Sequence, residues 1–137
     1  MKWIVAGMKW IMLAAGLLTC TMLYVAIAPQ AALQSTFGST LEGPVAEVVV
    51  RNWGVLITLI GVMLIYGAFV VPARPLVLIV AAVSKLTFIV LILTIGRPFL
   101  SHQAGIAVAS DILQVALFIG YLSASRHHAP PAGQRTV

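Results

Sequence analysis

The stretch PLVLIVAAVSKLTFIVLILTIGRPFLSHQAGIAVASDILQVALFIGY, from Pro75 to Tyr121, decides the fold because it holds two apolar segments with one formal charge each. Lys85 lies 14 residues before Phe99 and Asp111 lies 12 residues after it. If Gly96 to Gln103 is the turn of a helical hairpin, a rise of about 1.5 Å per residue places both charges at nearly the same depth in a bilayer. An isolated charge in hydrocarbon costs a few kcal/mol or more. The spacing therefore predicts a Lys85–Asp111 ion pair.

Composition identifies the class of protein. The chain is 61% hydrophobic and 8% charged, with a mean hydropathy of +1.09, which is typical of an integral membrane protein. The net charge of +5 comes from scattered lysines and arginines, so the chain has no basic cluster to follow a nucleic-acid backbone. A single cysteine, Cys20, excludes an internal disulfide and a two-cysteine redox centre.

A span needs about 20 mainly apolar residues, so 137 residues accommodate four. We predict an all-α, integral membrane four-helix bundle in one domain, residues 1–124, with spans at about 5–28, 44–70, 75–95 and 103–123. Residues 31–37 predict a short interfacial helix between the first two spans, ended by Gly38. Pro44 is expected at the first helical position of the second span. Residues 125–137 are expected to form a flexible cytoplasmic tail.

The second span carries an inward-facing stripe of polar and small residues at spacings of three and four. Small residues on one face allow helix backbones to approach closely in lipid. The stripe consists of Glu47, Arg51, Gly54, Thr58, Gly61, Ile65 and Ala68.

The basic residues predict the orientation. With the N-terminus inside, five basic residues are cytoplasmic, namely Lys2, Lys9, Arg74, Arg126 and Arg135. Only Arg51 and Arg97 then lie toward the outside. This distribution follows the positive-inside rule and predicts that both termini are cytoplasmic.

Counting depth from the predicted helix ends places six polar residues in the outer half of the bundle, where they are expected to form one electrically neutral cluster. Two readings remain open for Lys85 and Asp111: a buried pair that fixes helix register, or a pair that lines a cavity open to a polar ligand or a proton. Glu47 and Arg51 are also compatible with a simple intrahelical pair. The cluster consists of Glu47, Arg51, Asn52, Lys85, Asp111 and Gln114.

No catalytic or metal-binding set is expected. His102 lies at the predicted outer turn and His127-His128 in the predicted tail, too far apart to bind one metal. No Ser/His/Asp order, phosphate-binding loop or haem-ligand pair occurs, so no cofactor is predicted.

The order of features resembles the DoxX-like superfamily of small bacterial membrane proteins over about residues 5–123. The resemblance consists of an apolar first helix ending at Pro29, the segment from Ala31-Ala32-Leu33 to Phe37-Gly38, and Glu47 with Arg51-Asn52-Trp53-Gly54 opening the second helix. It implies a four-helix bundle in the bacterial inner membrane, and some relatives are subunits or accessories of quinone-linked oxidoreductases. It transfers no catalytic residue to this chain.

Together these features predict a non-enzymatic membrane protein whose polar cluster binds a small amphipathic molecule, such as a lipid or a quinone, or a partner subunit. Membrane lipids are expected neighbours, and nucleic acid is not. The alternatives are an oligomeric proton-linked transporter in which Asp111 changes protonation, a membrane enzyme that uses the cluster as acid and base, and an accessory subunit of a membrane oxidoreductase.

Overall fold

The computed structural model describes residues 2–127, which form an all-α bundle without a β-strand. Two short 3₁₀ turns, Val71–Ala73 and Arg97–Ser101, connect the last three long helices. Four helical segments are long and apolar enough to cross a membrane, so the predicted multi-pass helical fold is confirmed. The α-helices are α1 (Lys2–Cys20), α2 (Leu23–Ile27), α3 (Pro29–Phe37), α4 (Pro44–Phe69), α5 (Arg74–Thr94) and α6 (Gln103–His127).

The first span differs from the continuous helix predicted for residues 5–28, because a turn at Thr21 and Met22 separates α1 from α2. The Thr21 hydroxyl donates a hydrogen bond to the Leu18 carbonyl at 2.6 Å within this turn. Pro29 does not lead into a loop but begins α3, where its missing N–H is tolerated. The predicted end of α3 is confirmed, since Gly38 has a left-handed φ of 70°.

The last helix is longer than predicted. It continues past residue 123 to His127, because Tyr121 and Ala124 are buried against the bundle and keep this turn packed. Residues 125–127 of the predicted tail are therefore helical. The rest of that tail, with His128 and Arg135, lies outside the described residues.

The spanning segments pack in the cyclic order α1, α4, α5, α6, and α6 returns to contact α1. The closest crossing joins α1 to α4, because neither Gly16 nor Gly61 carries a side chain. A Cβ atom added to Gly61 would lie 2.8 Å from the carbonyl oxygen of Gly16 and 2.8 Å from the amide nitrogen of Cys20. The inward stripe predicted on α4 is thus confirmed at Gly54, Gly61 and Ala68, which are buried.

The N-terminal end of that stripe is exposed. Glu47 and Arg51 face away from the packed interior. The first turns of a span lie close to the headgroup region, where charged side chains remain solvated. Glu47 and Arg51 can therefore keep their charges without a buried partner.

The two halves of the bundle are packed differently. In the half that contains the N-terminus of α1, a dense apolar core includes side chains with no exposed surface. Large, close-packed side chains of this kind hold the four spans together. The fully buried ones are Met8, Met12, Leu64, Leu78 and Phe118.

Arginines complete the C-terminal ends of the first three spans. Arg51 Nη1 donates to the Ala26 carbonyl at 2.5 Å, Arg74 donates to the carbonyls of Gly67 and Ala68 at 3.0 and 2.9 Å, and Arg97 Nε donates to the Leu93 carbonyl at 2.7 Å. The last carbonyls of a helix have no intrahelical partner, and cations are favourable there. Each break between spans is therefore supported by a guanidinium group.

We expect the Gly61→Ala variant to lower the free energy of unfolding by about 1–3 kcal/mol, because the new methyl group would meet two backbone atoms that cannot move independently. Reversible unfolding in mixed micelles measures the change. Gly7→Ala is the matched control, since no atom lies within 4 Å of a Cβ added there. Equal stability of the Gly61→Ala and wild-type proteins would contradict the close α1–α4 crossing.

Candidate functional site

Lys85 and Asp111 form an ion pair between α5 and α6. Lys85 Nζ lies 2.5 Å from Asp111 Oδ1, and the side chains are only 10% and 15% exposed. The hairpin closed by the Arg97–Ser101 turn brings the two charges to one level, as the residue spacing predicts. Mutual neutralisation reduces the cost of holding both charges in the apolar bundle.

The ion pair lines a cavity of about 690 Å³ in the half of the bundle opposite the dense core. All four spans contribute to its wall, and its size falls within the range of small-molecule sites. This location supports the prediction of a cavity-lining pair over a pair that serves only to fix helix register. The wall consists of Leu18, Thr19, Thr21, Met22, Thr36, Trp53, Ile57, Ile60, Ser84, Lys85, Thr87, Phe88, Leu91, Gln103, Ile106, Ala107, Ser110, Asp111 and Gln114.

Two buried oxygen atoms on cavity-lining residues have no hydrogen-bond partner among the described residues. They are Thr19 Oγ1 and Gln114 Oε1. The amide nitrogen of Gln114 is satisfied, since it donates to Ser110 Oγ at 3.0 Å. An unsatisfied buried polar group costs about 1–3 kcal/mol. Neither atom has exposed surface, so a partner inside the cavity would reach them once the side chains rotate toward it.

The short helix α3 covers one end of this cavity. Thr36 belongs to the cavity wall, and the ring of Phe37 lies 6.1 Å from the ring of Trp53 and 5.3 Å from that of Phe99. These aromatic contacts join α3 to α4 and to the turn between α5 and α6. The sequence therefore predicted this short helix but did not predict that it covers the cavity.

The six predicted site residues separate into two groups. Lys85, Asp111 and Gln114 line the cavity, whereas Glu47, Arg51 and Asn52 are exposed and do not belong to its wall. The single cluster expected from depth counting is therefore not formed. The reason is rotational: depth fixes the level of a residue along its helix but leaves the side on which it projects undetermined.

Glu47 and Arg51 form the intrahelical pair that was the alternative prediction, with Arg51 Nη2 2.7 Å from Glu47 Oε1. The remaining guanidinium nitrogen, Nη1, donates to backbone carbonyls at the end of α2. This arrangement gives Arg51 a structural role in joining α4 to the first span.

Sequence reasoning missed the hydroxyl groups of the cavity wall. Ser84 directly precedes Lys85, and Ser110 directly precedes Asp111. A serine next to a charged residue within an otherwise apolar segment was the sequence signal for these two hydroxyl groups. Thr19 gave no such signal because it lies in the long apolar run of the first span.

The cavity wall combines a mostly apolar surface with a few converging polar groups, an arrangement typical of small-molecule sites. The described residues contain no group of three or more His, Cys, Asp or Glu side chains that could hold a metal ion.

We expect Lys85→Met to lower the free energy of unfolding by about 3–5 kcal/mol, because it leaves the Asp111 carboxylate unpaired. The double variant Lys85→Met/Asp111→Leu should be more stable than Lys85→Met alone, since it removes both charges. Glu47→Gln, which removes a charge from the exposed pair, should stay within about 1 kcal/mol of wild type. Unfolding of all three variants in the same micelles measures these differences; a double variant no more stable than Lys85→Met alone would contradict the buried ion pair.

No family model matches the sequence, and comparisons with curated proteins and with solved structures find no similar protein. The DoxX-like resemblance therefore stays a prediction.

Proposed function

We propose that this multi-pass membrane protein binds a small amphipathic molecule of the lipid or quinone class in the cavity beside Lys85 and Asp111. The unpartnered oxygens of Thr19 and Gln114 carry the proposal, because they mark polar groups on the cavity wall that no other described residue satisfies. The surrounding wall is mainly apolar. A ligand with a polar head near these groups and an apolar body against the rest of the wall would match this distribution of polar and apolar surface.

Access from the lipid phase also supports an amphipathic ligand. Several wall residues are strongly exposed on the outer surface of the spans, among them Leu18 at 52%, Leu91 at 50% and Ile106 at 73%. In a membrane these surfaces face hydrocarbon. A molecule dissolved in the bilayer could therefore reach the cavity without crossing water.

The proposal includes membership of the DoxX-like superfamily and a place in the bacterial inner membrane with both termini in the cytoplasm. Its support is the order of sequence motifs and the distribution of basic residues. In this orientation the cavity and α3 would lie toward the outer face of the membrane. The ligand would then be held near the outer leaflet.

Filling part of the cavity should weaken binding. Ala107 lines the cavity wall and is half-buried, so a phenyl group at this position would occupy ligand space. We expect Ala107→Phe to weaken binding of a short-chain quinone and of a monoacylglycerol by about tenfold or more. Ala109→Phe is the matched control, because Ala109 is exposed on the same helix and does not line the cavity.

Titration of the purified variants with both probes measures the effect. Equal affinity of Ala107→Phe and wild type for every probe that binds would contradict a ligand site in this cavity.

The orientation is testable by labelling. In a Cys20→Ser background, Ser39→Cys should react with a membrane-impermeant maleimide added to intact cells from which the outer membrane has been removed. His127→Cys should react only after lysis. Both residues are exposed and lie outside the spans predicted from the sequence, so accessibility is matched. The reverse pattern would place the termini outside.

A further inference from the structure

The polar wall of the cavity has an excess of hydrogen-bond acceptors on α6. Asp111 Oδ1 accepts from Lys85, but Asp111 Oδ2 and Gln114 Oε1 accept no hydrogen bond from any described residue. The two residues are three positions apart and therefore lie on the same face of α6, one turn from each other. A ligand seated here would donate to Asp111 Oδ2 and, once the Gln114 amide rotates toward the cavity, to Gln114 Oε1.

The adjacent wall on α5 offers donors. The Lys85 ammonium has three N–H groups, of which one is used by Asp111. The hydroxyl of Ser84 lies next to Lys85 in the sequence and also belongs to a cavity-lining residue. It has no hydrogen-bond partner among the described residues. A ligand that both donates and accepts would satisfy the two sides, and a hydroxyl group does both.

The charge of the site selects against an ionised ligand. Lys85 and Asp111 neutralise each other at 2.5 Å, so the site has no net charge. An anionic headgroup near Lys85 would also lie near the Asp111 carboxylate, which repels it. An anionic or a cationic ligand would also add an unbalanced charge to the apolar bundle. An uncharged headgroup avoids this cost.

A second, shallower groove continues from the cavity along the lipid-facing side of α5. It has a volume of about 340 Å³ and is lined by Val83, Leu86, Thr87, Val90 and Leu91. Thr87 and Leu91 also belong to the cavity wall, so the two spaces share an edge. The groove provides an apolar path for a chain attached to a headgroup in the cavity.

We propose that the ligand is an uncharged amphiphile with a hydroxyl-bearing headgroup, which donates to Asp111 Oδ2 and Gln114 Oε1 and accepts from Lys85 Nζ, while its hydrocarbon chain leaves over Thr87 and Leu91. This inference rests on the proposed function and narrows it to one headgroup chemistry. Two sources supply that chemistry: a glycerol headgroup, as in a monoacylglycerol, and the reduced ring of a hydroquinone. The glycerol headgroup fits the two neighbouring acceptors better because its hydroxyls are adjacent.

Matched probes test the headgroup. Monooleoylglycerol, methyl oleate and oleate share one chain and differ in hydroxyl groups and charge, and a decyl hydroquinone is compared with its quinone. The detergent must have no hydroxyl groups, so an amine oxide is used. Trp53 lies in the cavity wall and reports binding by fluorescence in a Trp3→Phe/Trp10→Phe background.

We expect monooleoylglycerol to bind about tenfold or more tightly than methyl oleate, with oleate no tighter than the ester, and the hydroquinone to bind more tightly than the quinone. The tighter of the two hydroxyl-bearing probes identifies the source. Gln114→Leu should remove most of the preference for monooleoylglycerol while leaving methyl oleate binding unchanged. Thr58→Val is the matched control, since it removes a half-buried hydroxyl outside the cavity.

If Gln114→Leu does not fold, Thr19→Val is the substitute variant, because it removes the hydroxyl oxygen of another cavity-lining residue. Equal affinities of monooleoylglycerol and methyl oleate, or a preference unchanged in these variants, would overturn the headgroup inference and leave the proposed function intact. If no probe binds, and Ala107→Phe and wild type respond identically, both proposals fail.

Discussion

The ion pair between Lys85 and Asp111 is the interaction on which the arrangement of the cavity half of the bundle depends. Neither charge could stay in an apolar bundle alone, and together they hold α5 and α6 at a fixed register. The same pair prevents that region from closing into a continuous apolar core. It therefore fixes the hairpin and gives the cavity its polar wall.

The other half of the bundle supplies the rigidity that an open cavity requires. Its core of fully buried methionine, leucine and phenylalanine side chains packs all four spans. The glycine contact brings the C-terminal end of α1 against α4, next to Thr58 and Cys20. Beyond this contact the first span breaks at Thr21 and Met22, and both residues belong to the cavity wall. Dense packing on one side thus allows an incompletely filled interior on the other.

The charged residues serve two separate purposes. Arg51, Arg74 and Arg97 supply donors to the carbonyl ends of helices, where backbone groups would otherwise lack partners. Lys85 is instead directed at a side-chain carboxylate within the bundle. Lysine and arginine have the same formal charge, so the sequence does not distinguish their roles. Only the contacts show which residue caps a helix end and which lines the cavity.

The sequence by itself determined the fold class, the four spans, the left-handed end of α3 at Gly38 and the common level of Lys85 and Asp111. Each follows from local rules: span length, the conformational freedom of glycine and the rise of a helix along its axis. Only the tertiary structure decided which predicted polar residues share a cavity, and that the hydroxyls of Thr19, Ser84 and Ser110 join them. It also decided that α3 covers the cavity through Phe37. The physical reason is that side chains meet according to the rotation and crossing of packed helices, which arise from contacts among all four spans and are absent from any single segment.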